Sequence, residues 1–230
     1  MTADMQLLRV LPIEGTSWLV AEADQERLLA AARTGWEGQT LRVTPGRRVV
    51  WVDGEVGPVL LKHFRMRGLG NTLKCLLRGS PASREWAALR EARRLGLPVP
   101  RPVALGERKG FLYRESFLVT EALEETFPLG TVLFGEGRIG GQKRWDVIRG
   151  VAGVLRRMHD AEISQNDLHL GNILARLVMG KPELFLIDFQ RARVGSFVTE
   201  AIRWRDLGSL HGGCLDASRT DRLRFLKAYL

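Results

Sequence analysis

Apolar residues change their period several times along this chain, and each change marks an element. From Thr40 to Phe64 they come in short runs broken by turn residues. Leu41-Arg42-Val43, then Thr44-Pro45-Gly46-Arg47, then Arg48-Val49-Val50-Trp51-Val52 predict a hairpin. Asp53-Gly54 marks another turn, and Val59 to Phe64 a third strand that ends at Lys62-His63-Phe64. Three consecutive strands with no helix between them predict an antiparallel meander. The period then lengthens. Pro81 to Leu95 predicts a helix, with Ser80 able to cap it and Pro81 suited to its first position. Gly96-Leu97-Pro98-Val99-Pro100 stops it. Val103 to Gly106, Phe111 to Tyr113 and Phe117 to Thr120 predict three more short strands. Trp145, Ile148, Val151, Leu155 and Met158 recur at helical spacing, so a buried helix is expected to end near His159. Leu184-Phe185-Leu186-Ile187 is an apolar run of strand length. Arg203 to Leu207 opens a further helix, and Asp221 to Leu230 a last one. Residues 1–38 are less legible. Only Glu22 to Arg33, closed by Gly35, has a helical pattern there. Gly130 to Gly141 is glycine-rich and reads as a surface loop. It comes too late in the order, and joins no strand to a helix, so it is not a phosphate-binding P-loop.

Composition changes this picture little. A chain of 230 residues with 45% apolar and 27% charged residues is long enough for a good core and ordinary for a folded globular protein. Met1 to Val10 lacks a basic start followed by an apolar core, and no apolar run reaches the ~18–20 residues of a membrane helix. A cytoplasmic protein is expected. Cys75 and Cys214 stand far apart without a metal-ligand pattern around them, and are expected to be reduced thiols.

Charge changes it more. Residues 62–109 carry 12 Lys and Arg against the acids Glu85, Glu91 and Glu107, an excess equal to the whole net charge of +9. Such a stretch favours an anionic partner. Within it, Arg65 to Gly79 places Met66, Leu69, Leu73, Leu76 and Leu77 at helical spacing among Arg65, Arg67, Lys74 and Arg78. That pattern suits either a surface-seeking amphipathic segment or a helix packed on its own domain. No interleaved aromatic stacking pattern accompanies it, so nucleic acid is not the expected partner.

The chemistry lies further on. Gln165-Asn166-Asp167-Leu168-His169-Leu170-Gly171-Asn172 separates Asp167 from Asn172 by five positions. That is the spacing of the protein-kinase catalytic loop, H-R-D-x-x-x-x-N. Asp188 ends the apolar run 184–187, and Asp188-Phe189-Gln190 stands where kinases carry D-F-G. Phosphoryl transfer needs charge compensation and positioning more than covalent help, and Mg²⁺ supplies much of the charge. A carboxylate and an amide carbonyl are the hard oxygen ligands Mg²⁺ takes. Asn172 and Asp188 are therefore the candidate metal ligands. Asp167 is the candidate that orients the acceptor hydroxyl or takes its proton. Lys62 matches the strand lysine that meets nucleotide phosphates, with Glu85 as its ion-pair partner and Glu91 the rival. Glu121-Ala122-Leu123 is the expected hinge, where the backbone of Glu121 and Leu123 meets adenine.

These residues resemble the lipopolysaccharide core kinases, the bacterial family that phosphorylates heptose or Kdo sugars. The resemblance rests on Leu60-Leu61-Lys62-His63-Phe64, Ser83-Arg84-Glu85-Trp86, Gly96-Leu97-Pro98-Val99-Pro100-Arg101-Pro102, Asp167 to Leu174, and Ile187-Asp188-Phe189-Gln190-Arg191-Ala192-Arg193. It covers residues from about 40 to 230. It also takes in Asp206-Leu207, which is structural in kinase-like folds. The resemblance implies an α+β, two-lobed protein-kinase-like fold, with an antiparallel-sheet small lobe over 39–123, a mainly helical large lobe over 124–230, and 1–38 as an extension. It further implies ATP and Mg²⁺ as cofactors, and a lipid-linked core oligosaccharide as acceptor. The expected location is the inner face of the cytoplasmic membrane, held peripherally on its anionic surface. Departures are visible. The hairpin Thr44 to Arg48 lacks G-x-G-x-x-G, Gln165 replaces the usual loop histidine, and no A-P-E follows Asp188, which favours a small or lipid-linked acceptor over a protein. The rival functions are a small atypical protein Ser/Thr kinase and a nucleotide-binding scaffold without turnover.

Overall fold

The computed structural model describes residues 7–230 apart from 69, 71–74, 76, 110–112 and 215. The chain divides into two compact units, 1–90 with 100–122 and 91–99 with 123–230.

The first unit is built on a seven-stranded antiparallel sheet. Its strands are β1 (Leu8–Ile13), β2 (Thr16–Ala21), β3 (Gln39–Thr44), β4 (Arg47–Val52), β5 (Val59–Arg67), β6 (Pro102–Lys109) and β7 (Tyr113–Glu121), in the spatial order β1-β2-β6-β7-β5-β4-β3. The expected meander is β3-β4-β5. The stretch 1–38, set apart in the sequence reading, instead supplies two strands to the same sheet, because β2 pairs with β6 from Ser17–Glu107 to Val20–Ala104. Its hairpin closes at Glu14 and Gly15, both with positive φ, as a two-residue turn between twisted strands requires. Helix α1 (Gln25–Arg33) follows a 3-10 turn at Glu22–Asp24. Leu28 and Ala31 of α1 join Trp18, Val50, Val59 and Val119 in the core of this unit. Trp18 stacks on Trp36 with centroids 5.0 Å apart and lies opposite Gly106, where an added Cβ would stand 2.8 Å from the Trp18 ring. Only glycine fits there.

Two strand expectations change. β5 does not stop at Phe64. It runs through Arg65, Met66 and Arg67 in register with Glu115, Arg114 and Tyr113 of β7. These three residues therefore belong to a strand and not to an amphipathic helix, while Leu69, Leu73, Lys74 and Leu76 lie outside the described residues. The strand expected at Phe117–Thr120 is part of β7, as is Tyr113; Phe111 and Leu112 lie outside the described residues.

Helix α2 (Pro81–Arg94) begins where expected. The Ser80 Oγ accepts the Ser83 N–H at 3.1 Å. It ends in a Schellman motif: Leu97 N–H donates to Ala92 O, Gly96 N–H to Arg93 O, and Gly96 has φ 74°. Ala82, Glu85, Trp86 and Leu89 form its buried stripe at the helical period.

The second unit contains β8 (Phe127–Pro128), α3 (Leu129–Phe134), α4 (Gly141–Asp160), β9 (Ile163–Ser164), β10 (Ile173–Val178), β11 (Lys181–Leu186), β12 (Arg193–Val194), α5 (Glu200–Gly212) and α6 (Arg219–Tyr229). β11-β10-β8 form one small sheet and β12-β9 another. The glycine-rich segment is thus not all loop, since 129–134 is a helix anchored by buried Leu129 and Leu133. α4 buries Val147, Ile148, Val151, Ala152, Leu155 and Met158 on one face, the period seen in the sequence. Trp145, expected among them, is 37% exposed and lies under the Arg224 guanidinium. Thr199 caps α5, so that helix opens before Arg203; Ser218 and Asp221 form a capping box on α6. Among the described residues, no helix is long and apolar enough to cross a membrane.

Candidate active site

Lys62 does not end its strand. It is the fourth residue of the nine in β5, paired with Val49 of β4 on one side and Leu118 of β7 on the other. Alternation along β5 places it on the face opposite Leu61. Lys62 is buried, and its Nζ donates to Glu85 Oε1 at 2.5 Å. Glu85 is wholly buried, and its Oε2 has no hydrogen-bond partner. The rival Glu91 instead accepts from the Arg94 guanidinium at 2.5 and 2.7 Å on the helix surface, which holds its carboxyl below the usual range despite slight burial.

A buried ion pair gains little or nothing over apolar packing, but losing one partner strands a charge. Lys62→Met is therefore expected to lower unfolding stability by about 3–5 kcal/mol in urea titration, and Lys62→Met with Glu85→Leu to recover most of that loss. Equal stabilities for the single and double variants would show that the two side chains are not coupled.

Glu121 closes β7 and is committed to the chain beside it. Its carboxylate accepts the Arg101 N–H at 2.8 Å and stands 3.6 Å from the Arg101 Nε. The adjoining Ala122 N–H donates to Pro58 O, and Leu123 O accepts from the Thr126 hydroxyl. Any contact that Glu121 and Leu123 make with a base must therefore come from their remaining backbone groups.

In the second unit the chain from α4 to β11 gathers Asp167, Asn172 and the segment leading to Asp188. Asn172 is buried, and its Nδ2 donates to the Asp167 carbonyl at 2.9 Å. That bond fixes the amide so that Oδ1 stays an acceptor. The Asn172 carbonyl accepts the Ile187 N–H at 3.0 Å, which ties the loop to the residue before Asp188. Asp188 itself sits at φ 63°, ψ 65°, a left-handed conformation that Asp and Asn tolerate best among residues other than glycine. The Asp167 carboxylate is 45% exposed, with the Arg191 Nη1 at 3.6 Å.

Gln165, which replaces the usual histidine, is fully buried. Its N–H donates to Asp206 Oδ2 at 3.0 Å, and its Nε2 to Ile187 O at 2.6 Å. Its side chain thus links the loop to the residue between β11 and Asp188. Asp206 is buried on α5 and lies 3.5 Å from His159 Nε2, while His159 Nδ1 shares a 2.7 Å hydrogen bond with the Tyr229 hydroxyl. The sequence reading gave no part to Asn166, His159 or Tyr229. The one available signal was polar residues set into the apolar stripes of α4 and α6.

The donor set fits Mg²⁺. Asn172 and Asp188 offer the hard oxygens that Mg²⁺ takes. Mg²⁺ is held by one or two protein oxygens together with phosphates and water, so two ligands suffice. The second unit also contains a cavity of about 340 Å³ with a largely apolar lining that includes Leu133, Ile148, Leu170, Trp204 and Phe225.

A seven-stranded antiparallel unit with a buried Lys–Glu pair, and a helical unit with an Asp–Asn loop bonded to the residue before a second Asp, define a kinase-like phosphotransferase. The sequence profile of the lipopolysaccharide kinase (Kdo/WaaP) family matches residues 20–229, and the chain belongs to that family. The match begins well before residue 40, so α1 and the last two residues of β2 belong to the family's domain. The lipopolysaccharide core heptose(I) kinase WaaP of Escherichia coli is 30% identical over 207 residues, covering 84% of this chain and 78% of that protein. The 3-deoxy-D-manno-octulosonic acid kinase of Actinobacillus succinogenes is 27% identical over 187 residues, covering 76% and 75%. A solved structure of WaaP in complex with acyl carrier protein superposes with a TM-score of 0.68 at 25% identity, over 92% of this chain and 88% of that one. The fold is the two-lobed α+β kinase-like fold, and the protein is a kinase.

Proposed function

We propose that this kinase transfers the γ-phosphoryl group of ATP to a sugar hydroxyl of the lipopolysaccharide inner core, on heptose or Kdo. The observation that carries the reading is the bond from Asn172 Nδ2 to the Asp167 carbonyl, which leaves the Asn172 oxygen as a hard acceptor on a loop that is also tied, through the Asn172 carbonyl and the Ile187 N–H, to the residue before Asp188. Mg²⁺ held by Asn172 and Asp188 would neutralise charge on the phosphates. Asp167 orients the acceptor hydroxyl or receives its proton. Lys62, held in place by Glu85, pairs with nucleotide phosphates, and the backbone at Glu121 and Leu123 receives adenine.

The relatives named for lipopolysaccharide core support a lipid-linked acceptor, and the excess of basic residues supports a peripheral position on an anionic leaflet at the cytoplasmic face. The neighbouring structure with acyl carrier protein, together with the apolar cavity of the second unit, supports an acyl carrier protein as a further partner. Incubation with γ-labelled ATP, Mg²⁺ and core lipopolysaccharide lacking phosphate tests the reading. Label is expected in the glycolipid. Label found only in protein would favour a protein kinase, and ATP bound without transfer to anything would favour a scaffold.

A further inference from the structure

Three arginines surround the loop that carries Asp167. Arg191 follows the 3-10 turn after Asp188, and its side chain is 71% exposed with Nη1 3.6 Å from Asp167 Oδ2. Arg205 lies on α5 with its side chain 51% exposed. Arg193 is exposed on β12, opposite Ser164 of β9. One residue links two of them, through the Arg191 carbonyl and the Arg205 guanidinium. Asn166 takes the left-handed conformation, φ 59°, directly before Asp167. Its Nδ2 donates to Ser164 O, Ser164 Oγ and Arg191 O at 3.2–3.3 Å, and its Oδ1 accepts from Arg205 Nη2. Asp167 Oδ2 stands 3.6 Å from Arg191 Nη1, and Asp206 Oδ1 stands 3.8 Å from Arg205 Nη2. Asp206 is buried and is bonded to the Gln165 N–H. Both carboxylates stand beyond hydrogen-bond distance of these guanidinium groups, so Arg191 and Arg205 keep N–H donors for an anion.

Guanidinium groups grip carboxylates and phosphates with paired N–H donors, and Arg205 spends one nitrogen on Asn166 while keeping others. A rim charged in this way next to the residue that faces the acceptor hydroxyl selects an acceptor with its own negative charge. We propose that Arg191 and Arg205, set against the Asp167 loop by Asn166, form an oxyanion subsite for a carboxylate or phosphate carried on the acceptor sugar near the hydroxyl to be phosphorylated. This subsite rests on the kinase reading above. It adds that the acceptor is recognised as an anion, and by which side chains.

The test is steady-state transfer from ATP to a core glycolipid containing acidic sugars, with Arg191→Gln, Arg205→Gln and Arg191→Lys compared with the wild type. Two modified acceptors, one with its carboxyl groups reduced and one stripped of phosphate, tell the two anions apart. Each glutamine variant is expected to raise the acceptor KM by about 10- to 100-fold, the range for a lost charged hydrogen bond. The KM for ATP should stay within about 2-fold, because neither arginine is assigned to the nucleotide. Arg191→Lys should recover part of the loss. On the acceptor lacking the recognised anion, wild type and variants should converge. An unchanged acceptor KM in Arg191→Gln, whose exposed side chain can be removed without unfolding the chain, overturns the subsite. So does an equal loss on charged and uncharged acceptors, or a fall in kcat with a shifted pH profile at constant KM, which would make Arg191 only a positioning residue for Asp167. A wild-type protein that labels no glycolipid at all overturns the proposed glycolipid acceptor, and the subsite with it.

Discussion

Replacing Asp188 by asparagine is expected to lower turnover by about 10³-fold or more while leaving the fold as stable as the wild type. On the proposed reading the Asp188 carboxylate is the main protein charge that would face Mg²⁺, and metal stabilisation of a transferring phosphoryl group is worth several kcal/mol. Each ~1.4 kcal/mol is a factor of ten in rate. Asparagine is the informative substitution because the position is left-handed, at φ 63° and ψ 65°. It keeps the shape and tolerates that conformation, so it removes charge alone. Alanine would remove the charge and also pay a left-handed strain of about 1 kcal/mol. The pair of variants should thus share the loss of activity and differ in stability. Calorimetric titration with Mg·ATP and chemical unfolding measure the two effects separately. Wild-type Mg·ATP affinity and turnover in a folded Asp188→Asn would remove Asp188 from the metal site.

The loop around Asp167 was legible because its chemistry fixes both residue types and spacing. The five-position gap from Asp167 to Asn172 is what lets the amide reach back to the carbonyl of Asp167. Lys62 was legible by type but misplaced, since the apolar run ends near it while the strand goes on. Arg65-Met66-Arg67 alternates polar and apolar as a strand does, but its charged residues were given to a helix. The first strand was hidden for a different reason. β1 lies at the edge of the sheet, where Pro12 is tolerated and Val10 faces solvent, so no apolar period marks it. In α3 the glycine at 130 masked a helix that Leu129 and Leu133 hold by burial rather than by propensity.

The charge count was the least transferable part. It assigned the net charge of +9 to one stretch, yet in three dimensions acids from elsewhere reach into it. Glu115 meets Arg65, Arg108 and His63, and Asp24 and Glu121 meet Arg101. Burial pushes the His63 imidazole below its usual range despite Glu115, so this histidine adds no fixed positive charge there near neutral pH. The exposed positive charge of α2 is confined to Arg84, Arg90, Arg93 and Arg94. Of these, Arg94 is held by Glu91, and Arg90 lies over the Trp86 ring.

Asp167→Asn should separate binding from chemistry. The backbone carbonyl that holds the Asn172 amide is untouched by the substitution, so Asn172, a proposed metal ligand, keeps its orientation. Mg·ATP affinity is therefore expected to stay close to wild type. Turnover should fall about 10²–10⁴-fold, the usual loss when a positioned proton acceptor is removed. The substitution also leaves Arg191 without its carboxylate neighbour at 3.6 Å, which makes the rim more positive. Binding of an anionic acceptor should then hold or strengthen, and the loss should fall on kcat rather than on the acceptor KM. Stopped-flow nucleotide binding and steady-state transfer to the core glycolipid measure both sides. A variant that keeps near wild-type kcat would assign the acceptor hydroxyl to another group, and one that loses Mg·ATP affinity would place the Asp167 carboxylate on the metal.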